Sequence, residues 1–316
     1  MFLLVRYFYF TLTQIVQISF HDPCELLRYL QVRTGQKEDQ TMDNSTRRHF
    51  LKDLSFGTAA LSIAGQASPT NRMPGQPPTG DVETAADAPS SIMAIAAHPG
   101  DGFFAMGAAV ALQAHLGGQA VLLSLSLGEK GSAHIDPSHY GIMQREASER
   151  AAHLLGATAD FLDFRDGEIP DSEEARFAVC DMIRQYKPRI IVTHWRGSWH
   201  KDHLACHAIV NDAVFYAGLP AIARKLPAHG VRKLFFADNW EDAQGFAPDT
   251  YLDITPIFDR WMEACAAFPM WRGENGFRYN DYYGALAVAR GCLGGSKYAV
   301  ALMSSPDQLT RRVRVL

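Results

Sequence analysis

Paired cysteines are missing from this chain. Its five cysteines, at positions 24, 180, 206, 265 and 292, include no CxxC and no paired spacing. Neither a disulfide framework nor a cysteine metal site is therefore indicated. Cys180, Cys206 and Cys265 fall inside apparent helices and read as small buried apolar residues. Basic charge is missing too. Thirty Lys and Arg against 34 Asp and Glu leave a net charge of −4, so no nucleic-acid partner is expected. No GxGxxG follows the first apolar run, which continues as His98-Pro99-Gly100-Asp101-Gly102. The backbone that would cradle a dinucleotide phosphate is absent there. No internal repeat is visible. What remains is a globular composition, 47% hydrophobic and 20% charged, in 316 residues. That is enough for one large α/β domain or two small ones.

The first ninety residues read as processing signals rather than fold. Thr46-Arg47-Arg48-His49-Phe50-Leu51-Lys52 precedes a modest apolar stretch, and Gly65-Gln66-Ala67 offers small residues for cleavage. The pattern resembles a twin-arginine export signal over 42–67, with a Pro/Thr/Ala/Gly-rich linker over 68–90. It implies the twin-arginine export machinery as a partner and a periplasmic or cell-envelope location. Residues 1–41 then stand upstream of a signal that normally opens a protein. They read as a mis-called extension ahead of an initiator at Met42. The rival reading is a membrane span in 1–20, which is apolar except for Arg6 and barely long enough.

From residue 91 to 316 apolar runs alternate with helical spacing. Strands are expected at 92–97, 120–125, 161–164, 190–193, 234–237 and 251–254. Helices are expected at 103–116, 144–155, 173–186, 202–217 and 256–267. Repeated strand–helix units predict an α/β fold of the Rossmann-like three-layer type, with a mainly parallel sheet. Its active site should lie at the carboxyl ends of the strands.

Two His clusters follow expected strands, His98-Pro99-Gly100-Asp101 and His200-Lys201-Asp202-His203. A turn at Pro99-Gly100 lets His98 and Asp101 reach one ion, and His203 supplies a third ligand. Two His and one carboxylate leave a position for water, the pattern of a catalytic metal site. Asp202 can hold a neighbouring imidazole by its ring N–H, and His200 is free to face substrate. Trp195-Arg196-Gly197-Ser198-Trp199 runs directly into the second cluster. Trp195 and Trp199 can stack a sugar ring and Arg196 can bind its substituents. His207, one helical turn past His203, reads as structural. His134 and His139 flank Asp136-Pro137 in an expected mobile loop. The aromatic stretch with Arg272, Arg278 and Tyr282-Tyr283 is a candidate pocket wall.

These motifs resemble the PIG-L/LmbE-like family of metal-dependent N-deacetylases, which includes the N-acetylglucosaminyl-phosphatidylinositol, mycothiol and bacillithiol deacetylases. The likeness covers roughly 91–300. Supporting features are Leu127-Gly128-Glu129-Lys130-Gly131, Arg145-Glu146, Asp166-Gly167, Lys187-Pro188 and Leu252-Asp253-Ile254-Thr255. The resemblance implies Zn²⁺, with Fe²⁺ or another divalent ion as alternatives, on His98, Asp101 and His203. It implies a small N-acetylated sugar as substrate. It pairs Asp202 with His200, and gives His200 the tasks of stabilising the oxyanion and assisting amine departure. The family's Ala-His-Pro-Asp-Asp, however, is Ala97-His98-Pro99-Gly100-Asp101 here, so its general base is a glycine. A Tyr-Ala-Glu common in related sequences is Tyr298-Ala299-Val300. Three consequences stay open. Glu129 or Asp202 takes the proton; or the metal alone hydrolyses a more reactive ester; or the domain binds carbohydrate with little or no turnover.

Overall fold

The computed structural model describes residues 90–306. The expected extension, export signal and nearly all of the linker lie outside them. The described residues belong to one compact unit.

Seven strands form one sheet in the order β3-β2-β1-β4-β5-β7-β6. They are β1 Ile92–Ala96, β2 Ala120–Ser126, β3 Thr158–Phe164, β4 Ile190–Thr193, β5 Lys233–Ala237, β6 Thr250–Asp253 and β7 Ala299–Ser304. β1 to β5 pair in parallel, and β7 runs antiparallel between β5 and β6. The fold is thus α/β, with a mainly parallel sheet between two helical layers. Strand β1 shows why its residues are almost all apolar. Successive side chains point to opposite faces, and both faces are covered. Ile92, Ala94 and Ala96 pack in one core, while Met93, Ile95 and Ala97 pack in the other.

The first core is roofed by α1 (99–115), α2 Pro137–Leu155, α5 Phe258–Cys265 and α6 Tyr279–Gly294; the second by α3 Glu173–Tyr186 and α4 Lys201–Gly218. Helix α1 runs in three pieces: Pro99–Asp101, a π-helical turn Gly102–Met106, and Gly107–His115. A π turn leaves backbone carbonyls without their usual partners. The Phe103 carbonyl instead accepts from the Trp261 indole at 2.9 Å and the Cys265 thiol at 3.5 Å, both on α5.

Three expectations need correction. Helix α2 starts at Pro137, not 144, because Asp136 accepts from the Ser138 amide as N-cap and Pro137 suits the first turn. His139 is therefore helical rather than part of a loop. Strand β3 begins three residues earlier than expected. Helix α6 and strand β7, unassigned in the sequence, close the sheet's far side.

Candidate metal centre and pocket

Four of the parallel strands deliver the site. Strand β1 ends into His98, which precedes the first turn of α1 and so places Asp101 one turn on. Strand β4 ends into the loop that leads to His200, the N-cap of α4. The loop after β3 brings Asp166. The turn after β5 brings Asn239 and the 3-10 helix Trp240–Asp242.

His98 Nδ1 lies 3.0 Å from Asp101 Oδ2, and His203 Nε2 lies 3.1 Å from the same oxygen. The Asn239 side-chain amide donates to Asp101 Oδ1 at 3.1 Å, fixing the carboxylate plane. His98 Nε2 faces Asp166 Oδ1 at 3.1 Å and Asp202 Oδ2 at 3.4 Å. His203 Nδ1 donates to Asp242 Oδ1 at 2.8 Å. The other Asp242 oxygen accepts from His194 Nδ1 at 2.8 Å, while His194 Nε2 accepts from the Ala97 amide. His194 and His203 stack at 3.9 Å between centroids, wholly buried with Asp242. Those hydrogen bonds make His194 a neutral strut that ties the ends of β1 and β4 together.

The charges are unbalanced. Burial opposes protonation of His98, but hydrogen bonds to Asp101, Asp166 and Asp202 raise its pKa well above the usual imidazole value. Burial likewise opposes His203, yet Asp101 and Asp242 push it up to about 10. Burial also resists ionisation of Asp101 and Asp242, and their imidazole partners still hold both low. Burial and the Asp101 charge push Glu241 up to about 7. Burial and the neighbouring His203 and His98 lower His200.

These residues fit a divalent cation. With Nδ1 donating to Asp242, a neutral His203 turns its Nε2 lone pair toward Asp101 Oδ2 and Glu241 Oε2, the latter at 3.4 Å. Acceptor facing acceptor is repulsive unless a proton or a cation lies between. One atom each from His98, Asp101 and His203 lies within 4.8 Å of the others. Asp202 Oδ1 is buried without a hydrogen-bond partner among the described residues. Two other groupings meet the same distance test, His98–His200–Asp202 and His194–His203–Asp242. The last is consumed by its internal hydrogen bonds and serves as a brace.

The pocket beside this centre is lined by His98, Gly100, Asp101, Asp166, His200 and Glu241, walled further by Phe104, Met270, Asn275, Tyr279 and Tyr283. No Lys or Arg lines it.

Several expected roles change. The Asp202 carboxylate does not hold His200. It accepts from the Gly167 amide at 2.6 Å and meets His98, while His200 Nδ1 accepts from the Asp202 backbone amide as helix cap. Trp195 is a core residue, not a sugar platform. It packs on Phe236 and His207, and its indole donates to the Gln244 carbonyl. Arg196 lies over the Trp195 ring, away from the pocket lining. Trp199 is 67% exposed and touches His200 and Trp240, whose ring stacks on Phe277. Glu129 accepts from the Asp166 amide at 2.9 Å, one residue behind the pocket wall. His207 bonds the His194 carbonyl and Asn211 within its surroundings. Asn239, Glu241 and Asp242 escaped the sequence reading. Their one available signal was position, directly after a strand whose carboxyl end faces the site.

Residues 93–214 match the PIG-L family model, described as GlcNAc-PI de-N-acetylase. Over that segment the chain is similar to the PIG-L family. The match contains His98, Asp101, His200, Asp202 and His203, but ends before Asn239, Glu241 and Asp242. Among relatives, the 4-oxalmesaconate hydratase of Pseudomonas putida is 26% identical over 215 residues, covering 64% of this chain and 80% of its own. The diacetylchitobiose deacetylase of Thermococcus kodakarensis is 24% identical over 229 residues, covering 68% and 83%. The crystal structure of the Pseudomonas putida hydratase GalB superposes with a TM-score of 0.64 at 22% identity, over 72% of this chain and 99% of that one. The chain therefore has both deacetylases and a hydratase among its relatives.

Proposed function

We propose that this protein is a zinc-dependent hydrolase that removes an N-acetyl group from an N-acetylglucosamine-type sugar conjugate. The observation that carries this reading is the charge of the pocket. Asp101, Asp166 and Glu241 face it, and no Lys or Arg does. A hydratase acting on a carboxymuconate, as GalB's name describes, handles a polyanion, for which this lining offers no Lys or Arg partner. A neutral acetamide needs none, and deacetylation leaves an amine that becomes cationic and suits the carboxylates.

His98, Asp101 and His203 would hold the ion, which when bound polarises the acyl oxygen and acidifies water. The chain's own groups do the rest. Asp242 sets the tautomer of His203, and Asn239 sets the plane of Asp101. His200, uncharged, faces the pocket to donate a hydrogen bond to the developing oxyanion. Trp199 and Trp240 form an aromatic rim beside His200 for the part of the conjugate outside the pocket. We further propose export by the twin-arginine route, supported by Arg47-Arg48 and the stretch that follows.

Acetate release tests the reading, with N-acetylglucosaminides, O-acetylated sugars and an unsaturated polycarboxylate offered to the zinc-loaded protein. Release from the N-acetyl sugars, lost in His203→Ala together with bound zinc, is expected. Cleavage of esters alone makes it an esterase. Hydration of the polycarboxylate, or binding of sugar without turnover, overturns the deacetylase reading.

A further inference from the structure

We infer that Glu241 replaces the carboxylate missing at position 100 and accepts the proton of the attacking water. This rests on the hydrolase reading above. The family match leaves the residue out, because it ends at 214.

The first ground is elimination. Asp101 is shared between His98 and His203 on one oxygen and accepts from Asn239 on the other. Asp166 accepts from the Lys130 amide at 2.8 Å and faces His98. Asp202 is bonded to Gly167 and does not line the pocket. Asp242 is spent on two imidazoles. Glu241 alone lines the pocket with one polar contact to its side chain among the described residues, that to His203.

The second ground is aim. The backbone of Glu241 is fixed at both ends. Its amide donates to Asn239 Oδ1 at 3.1 Å, and its carbonyl accepts from the Trp199 amide at 3.3 Å. The side chain is thus positioned with Oε2 near His203 and no hydrogen-bond or ion-pair partner on Oε1 among the described residues, which leaves an oxygen for a proton.

The third ground is the space at Gly100. A Cβ there would meet Met270 Sδ at 3.1 Å and Phe104 at 3.4 Å. The thioether occupies the space beside Gly100 in the present arrangement, and position 100 offers no carboxylate. Glu241 supplies one from the end of β5.

The step balances without a further reactant. The water oxygen bonds to the acyl carbon as one O–H proton passes to Glu241. When the C–N bond breaks, a proton goes to the departing nitrogen and Glu241 returns to its carboxylate form. The products are acetate and an amine.

The test uses the zinc-loaded full chain and an N-acetylglucosaminide that it cleaves. Glu241→Gln, nearly isosteric, is measured for kcat, KM and zinc per chain. The expected result is a kcat lower by about 10²- to 10⁴-fold, with KM and zinc stoichiometry unchanged. Adding Gly100→Asp should restore at least tenfold, with Met270 rotating aside. A kcat within a few-fold of wild type overturns the inference, and so does loss of zinc, which would make Glu241 a ligand. A wild type that releases no acetate overturns the hydrolase reading itself.

Discussion

His203 has its two ring nitrogens divided between opposite demands. Nδ1 gives its proton to Asp242, and Nε2 is thereby left as a lone pair facing the ligand position. A carboxylate behind a ligating imidazole fixes tautomer and raises basicity, and its removal typically weakens metal binding by about 10- to 100-fold. Asp242→Asn should show that loss in a zinc titration, with His98 and Asp101 still present. Unchanged affinity would mean that the buried triad is only packing. At the rim, Trp199→Ala should raise KM with kcat nearly constant. A stacked ring is worth about 0.5–1.5 kcal/mol, or roughly 2- to 12-fold. Steady-state kinetics on the conjugate and on its isolated sugar separate the rim from the pocket, since the small substrate should be indifferent to Trp199. The clustering of His98, Asp101 and His203 was legible in the sequence because each motif follows an apolar run. Their orienters were not. Asn239, Glu241 and Asp242 act singly, and no spacing rule links Asp242 to an imidazole 39 positions away.

Two loops, after β4 and after β5, are laced together. The Gln244 amide donates to the Gly197 carbonyl at 3.0 Å, and the Trp199 amide donates to the Glu241 carbonyl. Gly197 is glycine because a Cβ there would run into the Gln244 carbonyl. Gly197→Ala must push these loops apart. Overpacking of this kind costs about 1–3 kcal/mol, and at roughly 2–4 °C per kcal/mol a domain of this size should melt several degrees lower. Zinc affinity should fall in the same variant, because Asp242 rides on the displaced loop. A thermal melt with and without zinc checks both. At this scale the sequence was most readable where one pattern ruled. Strands β1, β2 and β4 are largely apolar runs, and Lys187-Pro188 marks the end of α3. Helix α6 was not readable. Its glycines at 284, 291 and 294 weaken the helical signal locally, yet Gly291 is required where the Lys297 carbonyl would crowd a Cβ. Strand β7 was hidden by an antiparallel insertion that no strand–helix alternation announces.

Over the whole molecule, protons and metal compete for one cluster. In the metal-free protein His203 titrates near 10 instead of the ordinary imidazole range of about 6.5. Its stabilising contribution is complete below about 6.5 and is lost as pH rises through 10. Asp101 and Asp242 have lowered values, so their contribution is present above about 4 and lost only as pH falls further. The stripped protein should therefore melt highest between roughly pH 4 and 6.5, and lower as pH climbs toward 10. Zinc should reverse the alkaline side of this profile and bind progressively more weakly as pH falls, since ligands must shed protons to take it. Scanning calorimetry of chelated and zinc-loaded protein across that range gives both arms. A chelated protein whose melting is flat from pH 6 to 10 would remove His203 from this account.

The segment that matches the family stops before the turn after β5. It holds His98, Asp101 and His203, yet Asn239 and Asp242, which bond two of them, and Met270 beside Gly100 come from the rest of the fold. Recognition and competence are thus encoded in different stretches of one chain. Two proteins sharing every ligand of this motif can diverge in chemistry through a tetrapeptide, Asn239-Trp240-Glu241-Asp242, that a signature search never reads.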